Sequence, residues 1–492
     1  MKADSLKKSF SFQSIYQILF YFIPLVIAPY LTRVLGSSNL GVYAYINSIA
    51  GYFILFANLG ISKHGQRIIS TRRDDEESLR KTFWSLYIVH SVCSVITIGL
   101  YVGFIFALGG EYRDLYLIQT IYVASALFDI TWLFYGLENF KSVVIKNLLI
   151  KIIECALIFI FVKSANDLWI YTLIMSGSWF LSQSVLLPGA IKYVKPIKFS
   201  KKDCIEHLKP MLVLFISVVA ATLYTVFDKT LLGLLATVED VAYYEYANKI
   251  IMVPKQLIFV IGTVMLPRAC KSFEDKQFDK LRKYMDISMF ATCLLGSAFV
   301  FGLMAVGQKF AVLYFGADFA KSGEAIVYMA PLVLIVMIGD VLRSEYLIPA
   351  KKDFLFTICI VISAILNIIV SVGLIPYLGV FGAVIGTTIG EIFGMVFQVI
   401  CSRKMYPVKA LLKNLIPFLI AGAIMFVAVY FMDRYTPATF MWLIIEVVSG
   451  VAVYALCTVL LLLFYYKEKK NDLIGKIFKK KSKEENDTHP KC

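Results

Sequence analysis

The chain has 492 residues, 59% of them hydrophobic and only 17% charged, with a mean hydropathy of +0.74. A soluble chain of this length could not hide so much apolar surface, so the excess must face lipid, which excludes a soluble enzyme or globular binding module. The net charge of +15 fits Lys and Arg in cytoplasmic loops against anionic headgroups, so membrane lipids, not nucleic acid, are the expected partners of these charges.

A hydrocarbon core of about 30 Å needs roughly 20 apolar residues per helix. Runs of that size occupy 12–35, 41–62, 82–108, 115–137, 143–163 and 168–191, then 209–235, 241–266, 286–307, 325–349, 354–375 and 379–401, and finally 411–432 and 439–466. The first run follows Lys7 and Lys8 but is too long for a signal peptide and lacks a small-residue cleavage site, so it reads as an uncleaved span. The expectation is an all-α polytopic membrane protein with 14 helices. Residues 1–208 form a first six-helix lobe, 209–403 a second, 404–466 two further helices, and 467–492 a basic cytoplasmic tail. In that tail Leu473, Ile474, Ile477 and Phe478 are spaced for a short amphipathic helix on the inner leaflet, against the alternative of a solvated tail.

Charge tests the count. With the N-terminus inside, 39 of the 49 Lys and Arg fall in cytoplasmic segments and 6 in outer loops, edge residues being allotted to the adjoining side. A missed span would scramble this bias, which therefore predicts both termini in the cytoplasm. The outer loops are all short, leaving no outer domain to carry catalysis. The nine Cys contain no CxxC and no Cys/His pair at metal spacing, and the four His are scattered, so neither a metal nor another cofactor is expected. His90 is the only His within a predicted span and has no acid in that span. With no nucleotide fingerprint either, an integral-membrane acyltransferase or polymerase is disfavoured.

Gly41-Val-Tyr-Ala-Tyr-Ile-Asn-Ser-Ile49 opens the second span and Ala242-Tyr-Tyr-Glu-Tyr-Ala-Asn-Lys-Ile250 opens the eighth. Tyr43, Tyr45, Asn47 and Ile49 match Tyr244, Tyr246, Asn248 and Ile250, and both segments follow a short outer turn. The matched topology implies a parallel repeat, the plan of carriers with a site between two lobes. The tyrosines sit at interface depth, where an aromatic belt is expected. Asn47, Asn58 and Asn248 are placed either to bond between helices or, the preferred reading, simply to pack between them.

Several segments carry a family resemblance. Pro29-Tyr-Leu-Thr-Arg-Val-Leu-Gly36, Leu40-Gly-Val-Tyr43, Asn58-Leu-Gly-Ile61 and Leu266-Pro-Arg268 stand in order along the first half. Val312-Leu-Tyr-Phe-Gly-Ala-Asp-Phe319 and Leu378-Gly-Val-Phe-Gly-Ala-Val-Ile-Gly386 with Glu391 follow in the second. Together they resemble the polysaccharide (Wzx-type) flippases of the MOP superfamily, relatives of the MATE exporters. The resemblance implies a two-lobed carrier, opening alternately inward and outward, for undecaprenyl-diphosphate-linked oligosaccharide in a bacterial inner membrane. Polysaccharide polymerase machinery would be a partner. A peptidoglycan or teichoic acid precursor flippase and a MATE-type drug exporter are the rival readings. An exporter of cations would want acids, not Lys255 and Lys151, at mid-depth.

A charge at mid-bilayer costs at least about 2.5–3.5 kcal/mol, so each one is a functional candidate by default. The candidate substrate-binding cations are Lys255, Lys151, Arg33, Lys229, Lys249 and Arg343; the candidate coupling acids, for H⁺ or Na⁺, are Asp129, Glu391 and Asp228. Local pairing competes for Glu245 with Lys249, Lys151 with Glu154, and Asp340 with Arg343, all at helical spacing, and for adjacent Asp228 and Lys229. Lys255 has no acid within four residues and follows Pro254, which frees a backbone carbonyl and invites a kink. It suits a diphosphate anion, against an interhelical pair with Glu391 or Asp129. Arg33 closes the first span, where it serves either substrate or the outer headgroups.

Overall fold

The computed structural model describes residues 3–465, so the basic tail and its predicted amphipathic segment lie outside the described residues. Among the described residues the regular elements are all helical. The N-terminal half comprises α1 (Ala3–Asn58), α2 (Ile61–Arg72), α3 (Glu76–Leu108), α4 (Arg113–Ser125), α5 (Thr131–Gly136), α6 (Phe140–Phe161), α7 (Leu168–Ser184) and α8 (Leu187–Ala190). The C-terminal half comprises α9 (Lys201–Leu235), α10 (Val238–Glu274), α11 (Phe278–Phe315), α12 (Ala320–Met329), α13 (Pro331–Leu342), α14 (Asp353–Leu378), α15 (Val380–Ser402), α16 (Val408–Tyr435) and α17 (Phe440–Tyr465).

Within the described residues, every predicted span falls largely on helical backbone. Among the described residues ten helices are long and apolar enough to cross a membrane, or eleven if the bent pair Ala317–Met329 and Pro331–Leu347 is one span. Part of the difference from 14 has physical reasons visible in the chain. The first two predicted spans join in α1, bent at Gly36, whose φ of 73° favours glycine. In α6, Lys146, Lys151 and Glu154 interrupt the apolar run. The fourth predicted span is among those counted, over Gly110–Gly136, although its helix breaks at Asp129, which lies in extended backbone between a 3₁₀ turn (Ala126–Phe128) and α5. Asp129 Oδ1 accepts from the Thr131 amide (2.9 Å) and hydroxyl (2.6 Å). This Asx-type turn offers the backbone an alternative to the helix ladder.

Two features position the site. First, α1 packs along α10 in a seam between the two halves. A Cβ on Gly41 would stand 1.8 Å from the Val238 carbonyl oxygen, so glycine alone permits this approach. The two repeat segments seen in the sequence thus begin side by side. Second, α9 passes from one half to the other. Near its start His207 meets His64 of α2 (Nδ1 to Nε2, 3.1 Å), Asp203 pairs with Lys81 of α3 (3.2 Å), and Met211 is buried in the α2–α3–α5 core. Near its other end Asp228 bonds to α14 and α15. Short turns close the predicted outer side: Ala236 and Thr237 join α9 to α10, and Gly379 joins α14 to α15.

The last two helices are held by charge as well as packing. Lys309 of α11 pairs with Asp433 of α16 (2.9 Å) and with the fully buried Glu446 of α17 (2.6 Å). Above this cluster's neighbours runs an apolar groove of about 590 Å³ between α11, α16 and α17, lined by Leu294, Phe299, Met425 and Tyr454 among others.

Candidate functional site

The seam gathers three of the candidate cations. Lys151 pairs with Glu154 on α6 at 2.5 Å. On the other side Glu245 of α10 accepts both Lys229 of α9 (3.1 Å) and Lys249 (3.6 Å). Lys249 also stands over the Tyr246 ring, 4.2 Å from its centroid. Between the clusters Tyr43 of α1 meets Tyr171 of α7 edge-on, with centroids 4.7 Å apart. Glu154 and Glu245 both lie within electrostatic reach of these two rings. Three cations and two acids therefore face one another across the seam, with a positive remainder.

Lys229 and Asp228 do not share a partner. Adjacent residues on a helix point about 100° apart, and Asp228 turns away from the seam cations. Its carboxylate accepts from Tyr244 Oη (2.6 Å), Thr387 Oγ1 (2.8 Å) and Asn367 Nδ2 (3.1 Å), with only 3% of the residue exposed. Ser371 donates to Asn367 Oδ1 (2.8 Å) and completes the network. This is a carboxylate held by neutral groups from α10, α14 and α15.

A second charged cluster lies wholly in the C-terminal half. Lys255, Asp340, Arg343 and Glu391 line one pocket of about 420 Å³ between α10, α13, α14 and α15. Arg343 is ion-paired with Asp340, as their spacing predicts. Lys255 is half-buried and feels the Glu391 charge. Asp129 is not in this pocket. It lies in the other half, within electrostatic reach of His90, which is fully buried and whose ring nitrogens have no hydrogen-bond partner among the described residues. His90 thus gains from another segment the acid that its own span lacks.

Arg33 lies apart from both clusters. Its guanidinium donates to the carbonyls of Pro29 (2.7 Å), Tyr314 (2.8 Å) and Leu313 (2.7 Å), reaching from α1 to the last turn of α11. The Leu313 and Tyr314 carbonyls are the unpaired end of α11, where a cation is favoured. Beside it the Ser37 amide donates to Asp318 Oδ2 (2.7 Å) and Tyr314 Oη to the Leu25 carbonyl (2.9 Å). These bonds tie the two halves at one end of the seam.

The tyrosines depart from the expected aromatic belt. Tyr244 and Tyr246 are buried at 5% and 2%, Tyr43 and Tyr45 are half-buried, and Tyr45 lies against Gly233 of α9. They pack between helices because the repeat lies on the seam and not at the lipid surface. Bonding across α1 and α9 comes from Ser48 and Tyr52, both to Thr230 (3.0 and 2.9 Å), and not from the asparagines singled out in the sequence. Asn58 Oδ1 is buried without a partner among the described residues. Sequence reasoning missed Asn367, Thr387 and Glu345. The first two are uncharged, and Glu345 reads as a helix-end residue beside Lys351 and Lys352.

A family model described as polysaccharide biosynthesis protein matches residues 6–273, more than half of the chain. The chain belongs to that family, the Wzx-type branch of the MOP superfamily. The matched part of this polysaccharide biosynthesis protein runs from α1 through almost all of α10, so it holds the seam cluster but neither α14 nor α15. A second model, described as lipid II flippase MurJ, matches residues 180–450. A putative O-antigen transporter of Shigella dysenteriae is 29% identical over 370 residues, 74% of this chain and 92% of the relative. One of Escherichia coli (strain K12) is 23% identical over 359 residues, 71% of this chain and 86% of the relative. Among solved structures, the lipid II flippase MurJ in an inward closed conformation aligns with a TM-score of 0.77 at 18% identity, covering 94% of this chain and 99% of that one. An inward-facing MATE transporter of the MOP superfamily aligns with a TM-score of 0.61 at 15% identity, covering 82% and 96%. The fold is therefore of the MurJ/MATE kind, and the family is one of multi-pass membrane transporters, not of enzymes.

Proposed function

We propose that this protein moves undecaprenyl-diphosphate-linked oligosaccharide repeat units from the inner to the outer leaflet of a bacterial inner membrane. The observation that carries the reading is the pair of charge clusters facing across the seam, Lys151 with Glu154 and Lys229 with Glu245 and Lys249. No covalent bond changes. The surplus cation offsets the diphosphate in a region of low dielectric, where such contacts are stronger than in water. Tyr43, half-buried on the seam, offers a ring to the sugar once the lobes part. The apolar groove along α11, α16 and α17 keeps the polyprenyl chain in contact with the bilayer. The relatives named O-antigen transporters support this class of cargo.

The architecture that suits this work has 14 spans, with lobes at 1–208 and 209–403, helices at 404–466 and a tail at 467–492, both termini being cytoplasmic. Alternating access then opens the seam first inward and then outward. Asp228, Glu391 and Asp129 are the acids available to couple the cycle to H⁺ or Na⁺, and Asp228 has the most complete set of neutral oxygen and amide neighbours. Polysaccharide polymerase machinery consumes the product outside. A peptidoglycan-type precursor is the second reading, favoured by the MurJ match over 180–450. Lipid analysis after deleting the gene tests both. Full-length polyprenyl-linked repeat units should accumulate on the inner leaflet, with little surface polymer. Accumulation of the peptidoglycan precursor instead would transfer the assignment to the second reading. Unchanged polymer with new sensitivity to cationic drugs would transfer it to a MATE-type exporter.

A further inference from the structure

Glu345 has no role in the site described so far, yet it is the most deeply enclosed carboxyl beside the C-terminal pocket. It is 0% exposed, and neither carboxyl oxygen has a hydrogen-bond partner among the described residues. The buried hydroxyl of Ser288 on α11 faces it outside hydrogen-bonding geometry and is itself without a partner. An ionised carboxylate stripped of water and counter-charge is far more costly than the neutral acid, so this environment selects the protonated form.

The backbone that carries it is unusual. Arg343–Leu347 form a single π-helical turn, with the Ile348 amide bonded to the Arg343 carbonyl five residues back (3.0 Å). Such turns store an inserted residue and recur at functional positions. Returning this turn to α-helical register would rotate Glu345 by about 100° around the axis, out of its enclosed position; the pocket that Arg343 and Asp340 line adjoins the same turn. The elements packed on this turn are α10, α11, α13, α14 and α15. The titratable or charged groups these elements bring to the adjoining pocket are Lys255, Asp340, Cys359 and Glu391, with Arg343 on the turn itself and Tyr346 beside Glu345, bonded to Lys352 (3.0 Å); Asp340 lies within electrostatic reach of Glu345. Asp286 of α11 is occupied with Tyr406 (3.2 Å) and Asn414 (2.8 Å) of the α16 side. One face of the turn thus offers a dry site beside Ser288, and the other a charged pocket in which Lys255 and Arg343 stand with Asp340 and Glu391.

We propose that Glu345 is a proton-binding site of the carrier, holding a proton in the enclosed position and releasing it into the Lys255–Arg343 pocket when the π turn relaxes. The coupling role rests on the flippase reading; the bound proton does not. The balance is simple, a carboxylic acid giving a carboxylate and one proton. The test has two arms, both on the full chain in lipid vesicles. In the first, infrared difference spectra across a pH titration record the carboxylic acid C=O band. Wild type should show a band at neutral pH that Glu345→Gln removes and Glu345→Asp restores at a shifted position. An unchanged band in Glu345→Gln would overturn the proton assignment. In the second, vesicles receive a polyprenyl-linked oligosaccharide extract from cells lacking the protein, with or without a pH gradient or a Na⁺ gradient. Glu345→Gln should lose the acceleration by the pH gradient and keep movement without a gradient, and Glu345→Asp should regain the acceleration. Full gradient dependence in Glu345→Gln, or dependence on Na⁺ alone in wild type, would overturn the coupling role. Failure of wild type to move the extract at all would count against the flippase reading, while the infrared arm still decides the proton.

Discussion

Lys255 is the residue whose role the pocket sharpens. Its sequence isolation made it a candidate for a diphosphate anion or for an interhelical acid, Glu391 or Asp129; of those two the structure puts Glu391 in the same pocket, where Asp340 is paired with Arg343. Lys255→Ala should reduce transport strongly while the protein still inserts and accumulates, because removing the charge relieves an insertion cost of about 2.5–3.5 kcal/mol. Lys255→Arg should keep partial activity, since it preserves charge but alters contact shape. Polymer export and membrane-fraction immunoblots read both effects. Should Lys255→Ala lower the protein level, and a second change of Glu391→Gln restore level and export together, Lys255 would be a structural partner of Glu391. Asp228 shows the complementary lesson. Its sequence neighbour Lys229 suggested a pair, but its contacts come from residues 16 to 159 positions away.

At the scale of elements, the α1–α10 seam depends on glycine. Gly41→Val would drive its side chain into the Val238 carbonyl, so the helices should separate at the end that Arg33 and Asp318 bridge. The expected result is loss of transport with normal insertion. A Cys at Ser37 in a Cys-free background should then react faster with an impermeant thiol reagent from outside than it does with Gly41 intact. Equal reactivity would mean that the close approach is not what shuts this end. The broken fourth span is a second case. Its hydropathy is continuous through Asp129, but the bonds to Thr131 redirect the chain there.

At the scale of the whole molecule, the charge bias makes a topological prediction that the fold now places on exposed residues. Single Cys at Thr237 and at Tyr377, which is 85% exposed, should label from outside intact cells. Single Cys at Asp75 and Lys202, exposed residues at the starts of α3 and α9, should label only after the membrane is opened. Labelling of Asp75 from outside would invert the proposed orientation. Because α9 is packed at its start on the N-terminal half and bonded at its end to the C-terminal half, an opening of the seam would strain it.

The amino-acid sequence by itself determined the helical class, the place of nearly every helix, the repeat at 41–49 and 242–250, and the family, because hydropathy, loop charge and short motifs are local properties of the chain. It also identified the ion pairs at helical spacing, Lys151 with Glu154, Glu245 with Lys249 and Asp340 with Arg343, since the period of a helix brings such residues together. Only the tertiary structure decided which of these charges share a site. It joined Lys229 to Glu245, set Lys255 beside Glu391, sent Arg33 to the end of α11, and surrounded Asp228 with neutral groups. It alone revealed Glu345, whose sequence position is unremarkable. A buried carboxyl is defined by what neighbouring helices withhold from it, and that depends on packing between segments far apart in the chain.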